Sequence, residues 1–165
     1  MTLGMIAEAI RPYQVGLVQI TGGEPLAQSA SPELARMLVA EGYEVLVETN
    51  GSLDISVLSH PVARVMDLKT PSSGMSAQNR LANLAHLRRG DEVKFLIADR
   101  IDYEWARVKV RDPDYPVKLV ETLFSPVRDR LEPSLLASWL LDDKLDARLN
   151  LQLHKVIWPH VDRGV

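Results

Sequence analysis

Residues 16–25 read Gly-Leu-Val-Gln-Ile-Thr-Gly-Gly-Glu-Pro. The apolar run over 16–20 predicts a buried strand, and the two glycines after it let backbone amides approach a ligand closely at positive φ. Glu24 adds a carboxylate, and Pro25 fixes the direction in which the chain leaves. A strand that ends in a bare backbone turn and one acid suits a ligand with a cationic or amino end. The alternative is an ordinary glycine-rich turn between a strand and a helix, since short glycine motifs recur by chance.

The rest of the chain alternates between strand and helix patterns. Strands are predicted over 16–20, 43–47, 62–68, 92–98, 117–124 and 147–154. Helices are predicted over 3–13, from the Ser31 cap to Gly42, over 77–88, over 103–110 after an Asp102 cap, and from Pro133 onward. Such alternation indicates right-handed βα units and a mainly parallel sheet in one α/β domain spanning 1–165. A complete eight-stranded barrel needs about 250 residues, so a partial (β/α) barrel or an open doubly wound sheet fits the length better.

The last predicted strand differs from the others because its residues alternate strictly. Arg148, Asn150, Gln152 and His154 would share one face, with leucines on the other. Earlier strands are closer to continuous apolar runs, as expected of strands covered on both faces. A polar strand face in a parallel α/β protein should meet either solvent or a wet, functional cavity.

Composition excludes several classes of protein. The chain has 165 residues, 46% hydrophobic, with a net charge of −3, which is typical of a soluble globular protein and makes a cytoplasmic location the default expectation. No basic run supports nucleic-acid binding, and no apolar stretch is long enough for a membrane span. Cysteine is absent, which excludes disulfides, thiolate zinc sites and a Cys-ligated iron–sulfur cluster within these residues. Phosphate-binding, dinucleotide-binding and nucleophile-elbow motifs are absent as well.

Polar residues follow most of the predicted strands. Since the carboxyl ends of parallel strands form the ligand-binding edge, these residues should meet in one pocket. They are Thr21, Glu24, Glu48, Thr49, Asp67, Lys69, Ser125, Gln152 and His154. Each has a plainer interpretation: a solvated acid for Glu48, a surface or capping role for Lys69, a satisfied histidine for His154. Ser72, Ser73 and Gly74 could simply start the next helix.

Five segments carry a resemblance that covers nearly the whole chain. They are Thr21–Pro25 (Thr-Gly-Gly-Glu-Pro), Val47–Gly51 (Val-Glu-Thr-Asn-Gly), Asp67–Gly74 (Asp-Leu-Lys-Thr-Pro-Ser-Ser-Gly), Glu92–Phe95 (Glu-Val-Lys-Phe) and Leu151–Trp158 (Leu-Gln-Leu-His-Lys-Val-Ile-Trp). Together they resemble the radical S-adenosylmethionine (SAM) enzymes of the 7-carboxy-7-deazaguanine synthase family, which serve queuosine biosynthesis. The Gly-Gly-Glu-Pro motif indicates the radical SAM superfamily, and the Gln-Leu-His-Lys segment points to this family.

The resemblance implies a radical SAM type of partial (β/α) barrel, a homodimer and a set of ligand contacts. SAM would be bound by Gly22, Gly23, Glu24, Asp67, Lys69, Ser72, Ser73 and Ser125. The substrate would be 6-carboxy-5,6,7,8-tetrahydropterin, which such lyases contract to 7-carboxy-7-deazaguanine with Mg²⁺ assisting. Thr21, Glu48, Gln152, His154 and the terminal Val165 would face this pterin.

The chain departs from the family in its lack of cysteine, since radical SAM enzymes hold a [4Fe–4S] cluster with a three-cysteine motif after the first strand. We expect that the first strand and the cluster loop are missing, through a start site chosen inside a longer reading frame or a deliberate truncation, and favour the former. This form should then be inactive, and the free edge of strand 16–20 should be covered in a dimer, a swapped assembly or by a rearranged helix. Two alternatives are a cluster-free SAM- or pterin-binding protein and another radical SAM member, such as a glycyl-radical activating enzyme.

Overall fold

The fold is a single parallel sheet of six strands, seen in a computed structural model. The structure describes residues 1–116, 118–158 and 160–161, and for His154 the backbone alone. The strands are β1 (Leu17–Ile20), β2 (Glu44–Thr49), β3 (Ala63–Asp67), β4 (Glu92–Ile97), β5 (Glu121–Pro126) and β6 (Arg148–Leu149). The helices are α1 (Leu3–Ile10), α2 (Ser31–Ala40), α3 (Arg100–Val110), α4 (Pro133–Asp142) and α5 (Leu153–Ile157). The predicted α/β class and the six parallel strands are confirmed.

The strands lie side by side in the order in which they occur along the chain. A doubly wound sheet reverses its strand order at a switch point, and this sheet has no such reversal among its six strands. Right-handed crossovers that always step in the same direction place every helix on the same face. The order therefore selects the partial (β/α) barrel over the doubly wound alternative.

Two apolar cores occupy the helix-covered face. One joins α1 and α2 to β2 through residues such as Ala7, Leu38 and Val47, and the other joins α3 and α4 to β4 and β5 through Tyr103, Phe95, Phe124 and Leu136. Because side chains alternate along a strand, the residues between these buried ones point to the opposite, open face of the sheet. On β2 the side chains that point to the helix-covered face are buried, while Glu44, Leu46 and Glu48 on the open face are not.

The prediction of a strand over 147–154 was wrong beyond Leu149. The Asn150 amide still donates to the Phe124 carbonyl at 2.9 Å, but the next ladder bond would need an amide donor at position 126. Pro126 has no N–H, so the parallel pairing stops there. The chain turns into the short helix α5, and Leu151 and Leu153 are exposed instead of forming a buried strand face.

Three other boundaries differ from the prediction. Helix α3 begins at Arg100 because Asp99, whose carboxylate accepts from the Asp102 amide at 2.9 Å, caps it in place of Asp102. The segment predicted as a helix over 77–88 forms short 3₁₀ turns at Ser76–Gln78 and Leu81–His86. Strand β5 starts later than predicted. None of the helices in the described ranges has the length and hydrophobicity needed to cross a bilayer.

Candidate functional site

The loop after β1 exposes backbone at the carboxyl edge of the sheet. Gly22 has a φ of +98° and Gly23 a φ of +57°. These values favour glycine, because a Cβ destabilises the left-handed region. A Cβ added at either position would meet no atom within 4 Å, so the requirement is conformational and the space beside both glycines is open. The loop therefore exposes its backbone to open space, and the positive φ values predicted for the two glycines are confirmed.

Glu24 joins this loop to the loop after β2. Its carboxylate accepts hydrogen bonds from the Leu26 amide at 2.9 Å, the Asn50 amide at 2.7 Å and the Thr49 hydroxyl at 2.9 Å. Thr49 is 1% exposed, so this connection is largely out of water. A carboxylate has about four lone-pair sites, and three donors leave one for a ligand. Glu24 thus acts as a structural link between two loops, with one acceptor site left over, and it is not among the residues that line the cavity next to Gly22 and Gly23.

Asp67 ends β3 with a carboxylate that is only half satisfied. One oxygen, Oδ2, pairs with the Lys69 ammonium at 2.8 Å. The other, Oδ1, is buried and has no hydrogen-bond partner within the described part of the chain, and the whole residue is 8% exposed. A buried, unsatisfied acceptor costs about 1–3 kcal/mol of folding free energy. An unsatisfied polar atom at a strand end needs an explanation, and a ligand that pairs with it is one.

A cavity of about 150 Å³ joins these features. It is lined by Thr21, Gly22, Gly23, Glu48, Thr49, Asn50, Asp67 and Lys69. A neighbouring cavity of about 280 Å³ shares Asn50 and Lys69 and extends past Ser52, Met75 and Gln78. The structure thus brings together the predicted residues from three strand ends. Asn50 was missed, although its Asn-Gly turn directly after a strand was a signal for it.

Glu48 lies among polar side chains that cross the open face. Its Oε2 accepts from the Gln19 amide group at 2.8 Å and from the Thr21 hydroxyl at 3.4 Å. Its Oε1 forms an ion pair with the Lys94 ammonium of β4. Sequence reasoning missed both Gln19 and Lys94 as site residues. The available signal was a single polar residue at an alternate position inside an apolar strand, which places that side chain opposite the core.

Ser72 and Ser73 are used inside the protein. Ser72 donates through its hydroxyl to Asp102 Oδ2 and through its amide to Asp102 Oδ1 at 2.9 Å. The Ser73 hydroxyl donates to the Thr70 carbonyl at 2.6 Å. Neither serine lines the cavity beside Gly22 and Gly23. The structure therefore shows both as residues that hold the loop after β3 against helix α3.

The remaining predicted residues lie apart from that cavity. Ser125 is fully buried, and its hydroxyl accepts from the Asn150 side chain at 2.9 Å. Gln152 lines a separate cavity of about 380 Å³ together with Pro126, Leu131 and Lys155. The His154 side chain and Val165 lie outside the described residues, so the structure places neither. The predicted single pocket is thus seen as separate cavities along one edge of the sheet.

No metal site is evident in the ranges that the structure describes. No group of three or more His, Asp or Glu side chains there is close enough to hold an ion. The chain also has no cysteine, so its 165 residues offer no thiolate for an iron–sulfur cluster. By contrast, the Gly22–Gly23 backbone, the unpaired Asp67 oxygen and Lys69 supply donors and acceptors suited to the zwitterionic end of an amino acid.

Comparison with known proteins gives a consistent result. No family model matches the chain. The 7-carboxy-7-deazaguanine synthase of Koribacter versatilis is 43% identical over 175 residues, an alignment that covers 98% of this chain and 77% of that protein. The synthase of Chlorobaculum tepidum is 37% identical, with 100% of this chain and 76% of that protein covered.

Two solved structures share the fold. QueE from Escherichia coli matches with a TM-score of 0.66 at 19% identity, over 92% of this chain and 64% of that one. SuiB from Streptococcus suis matches with a TM-score of 0.59 at 11% identity, over 98% of this chain and 45% of that one. The chain thus spans less than two thirds of each solved structure. Identity with the curated relatives, over most of their length, carries the assignment: the chain belongs to the 7-carboxy-7-deazaguanine synthase family.

Proposed function

We propose that these residues form the SAM-binding and pterin-binding walls of a 7-carboxy-7-deazaguanine synthase, a radical SAM lyase. The observation that carries this proposal is the unpaired Asp67 Oδ1, which belongs to a residue lining a cavity with the bare Gly22–Gly23 backbone. A ligand with an ammonium or hydroxyl group would satisfy that oxygen. Family membership supports the identity of the reaction, and the site chemistry supports the identity of the cofactor.

The methionine end of SAM fits the smaller cavity by charge. Its ammonium group would donate to Asp67 Oδ1 and to the last acceptor site of Glu24. Its carboxylate would accept from Lys69 and from backbone amides of the glycine loop. Together with the neighbouring cavity, which Met75 makes partly apolar, the space falls within the roughly 300–1,000 Å³ typical of ligand sites. SAM supplies the group that abstracts a hydrogen atom from the substrate, and these residues bind and orient it.

The substrate proposal rests on Thr21 and Glu48, whose side chains lie beside the same cavity. Glu48 is an acceptor held in place by three donors, Gln19, Thr21 and Lys94, which suits the N–H groups of a 6-carboxytetrahydropterin. Ser72, Ser73 and Ser125 would act through loop position rather than through their hydroxyl groups, since those are bonded within the protein. Gln152, His154 and Val165 stay predictions for the pterin's other side.

An iron–sulfur cluster does not fit these residues, because they include no cysteine. We therefore derive no step through a cluster, and infer that any thiolate ligands come from residues other than these. Magnesium, a homodimer and a cytoplasmic location belong to the same proposal and are supported by family membership alone. Light scattering of the purified chain tests the dimer.

Two measurements test the proposal. Calorimetric titration of the chain with SAM and with 6-carboxypterin, a stable oxidised relative of the substrate, should show one site for each. Incubation with iron, sulfide, reductant and SAM should yield no 5′-deoxyadenosine, because the thiolates for a cluster are absent. Failure of both ligands to bind at millimolar concentration would refute the binding role. Formation of 5′-deoxyadenosine would refute the claim that this chain is inactive.

A further inference from the structure

Lys94 lies in the interior of β4, where its neighbours Val93 and Phe95 are fully buried on the helix-covered face. Alternation turns Lys94 to the open face, and its register partner on β3 is Asp67. Glu48 pairs in register with Val65, two residues before Asp67. On the open face, Lys94 therefore lies two residues nearer the carboxyl edge of the sheet than Glu48 does. This places it on the side of Glu48 where the proposed ligand would lie. Only 12% of its side chain is exposed.

The Lys94 ammonium reaches across β3 to form its ion pair with Glu48 of β2. Asp67, the nearer acid by register, pairs with Lys69 instead. An ammonium has three donor hydrogens, and within the described ranges this one donates a single hydrogen bond. Two donors of a mostly buried cation are left to bind something other than the described residues.

A buried ion pair elsewhere in the same sheet shows what a purely structural pair looks like here. Arg64 and Asp91 are each 1% exposed, and the Asp91 carboxylate accepts from the Arg64 backbone, from two guanidinium nitrogens and from the Arg88 amide. The Arg64 guanidinium also donates to the His86 carbonyl at 2.6 Å. The polar groups of that pair are bonded within the protein, whereas Lys94 of the Lys94–Glu48 pair keeps two unused donors on the open face.

The Lys94–Glu48 pair therefore presents donors beside an acceptor. The pyrimidinone edge of a 2-amino-4-oxopterin presents the complement in sequence: an amino donor, a ring N–H donor and a carbonyl acceptor. A site built to bond a specific polar group rejects analogues that lack it, because its own buried groups are then left unpaired. The Glu48 acceptor would thus face a donor of that edge, and the Lys94 donors would face its carbonyl acceptor.

We infer that Lys94 determines specificity for the 4-oxo group of the pterin ring, donating to that oxygen while Glu48 accepts from the adjacent ring N–H with the one acceptor site that its three donors leave. This inference rests on the proposed function. It assigns to Lys94 a contact with the substrate in addition to its ion pair. The carbonyl oxygen would take one of the two donors that the protein leaves unused.

The test compares two ligands, 6-carboxypterin and its 2,4-diamino counterpart, in which an amino donor replaces the oxo acceptor and the adjacent ring nitrogen carries no hydrogen. Binding is measured by calorimetry on the wild-type chain, on Lys94→Met and on Lys94→Arg. Wild type should prefer the oxo ligand, and Lys94→Met should bind the oxo ligand at least about tenfold more weakly, as expected for a lost hydrogen bond to a charged donor. Binding of the diamino ligand should be unchanged or tighter, so the preference for the oxo ligand should fall by at least that factor, while the part of it that comes from Glu48 and the ring N–H remains. Lys94→Arg, which keeps charged donors, should retain the preference.

A loss of affinity for both ligands by the same factor would show a merely structural role and overturn the inference, as would an unchanged preference in Lys94→Met. In those cases the proposed function stands. If the wild-type chain binds neither pterin, both the function and the inference fail. Should Lys94→Met not fold because Glu48 loses its cation, Glu48→Gln is compared with Glu48→Gln/Lys94→Met. The second substitution should then reduce the ratio of oxo to diamino affinity by a similar factor.

Discussion

Substituting Asp67 by Asn should separate binding from stability. In the unliganded chain the substitution removes the negative charge but still leaves one buried polar group, the carbonyl oxygen or the NH2 of Asn, without a partner, so the cost of about 1–3 kcal/mol is not relieved. It also removes an ion pair with Lys69, whose side chain is 30% exposed, and such a pair contributes about 0–1 kcal/mol. The unpaired group remains and only a partly exposed ion pair is lost, so the free energy of unfolding should fall by no more than about 1 kcal/mol.

The effect on SAM binding should be much larger. A hydrogen bond between a charged acceptor and an ammonium group is worth about 1.5–3 kcal/mol, which corresponds to a roughly 10- to 100-fold weaker Kd in Asp67→Asn. Calorimetry measures the Kd, and circular dichroism measures the melting temperature of the same samples. A Kd within about threefold of wild type, well below the tenfold expected of a lost charged contact, would refute the idea that Oδ1 faces the ligand.

Asp91→Asn is the matched control, since it makes the same chemical change at a satisfied carboxylate in the same sheet. Asp91 and Arg64 are both 1% exposed, and breaking such a buried pair costs about 3–5 kcal/mol. For a domain of this size that lowers Tm by about 6–20 °C. SAM binding by the folded protein should remain near the wild-type value. If Asp67→Asn loses stability as Asp91→Asn does, Oδ1 has a structural partner and the reasoning is wrong.

The other predictions use similar pairs of measurements. Gly22→Ala and Gly42→Ala place a Cβ in open space at φ values of +98° and +95°, so both should destabilise by about 1–2 kcal/mol in thermal melts, yet only Gly22→Ala should weaken SAM binding. Equal SAM affinities would show that the glycine loop does not contact the ligand. Thr49→Val should lower Tm by loosening Glu24 and should weaken SAM binding less than Asp67→Asn does; a larger loss of affinity would place Thr49 itself at the ligand. A hydrogen bond from Tyr103 and a further one from Arg107 lower the pKa of Asp143, so Asp143 contributes stability that is fully present above its unfolded pKa of about 4 and is lost as pH falls below it. Asp143→Asn should therefore flatten the dependence of Tm on pH below about pH 4, and an unchanged slope would contradict the assignment.

Much of the site could be predicted from the sequence, because local rules determine it. A strand followed by Gly22 and Gly23 must expose backbone at the carboxyl edge, and parallel strands bring their carboxyl ends together. For that reason Thr21, Glu48, Asp67 and Lys69 were correctly expected to be neighbours. Glu24 was correctly placed in the loop, but its use as a link to Thr49 and Asn50 depends on a partner 25 residues away in the chain, which no local pattern shows.

The sequence by itself determined the α/β class, the parallel strands and the residues at their carboxyl ends, since periodicity and turn chemistry act over a few residues. The tertiary structure alone decided the strand order, which selects a partial barrel, and the length of β6, which Pro126 of a neighbouring strand limits. It also decided which polar groups are already satisfied: Ser72 by Asp102, Ser125 by Asn150, and Asp67 only in part. Hydrogen bonds between distant segments depend on how strands and loops pack, so only the folded chain shows that Asp67 Oδ1 and two donors of Lys94 have no partner among the described residues.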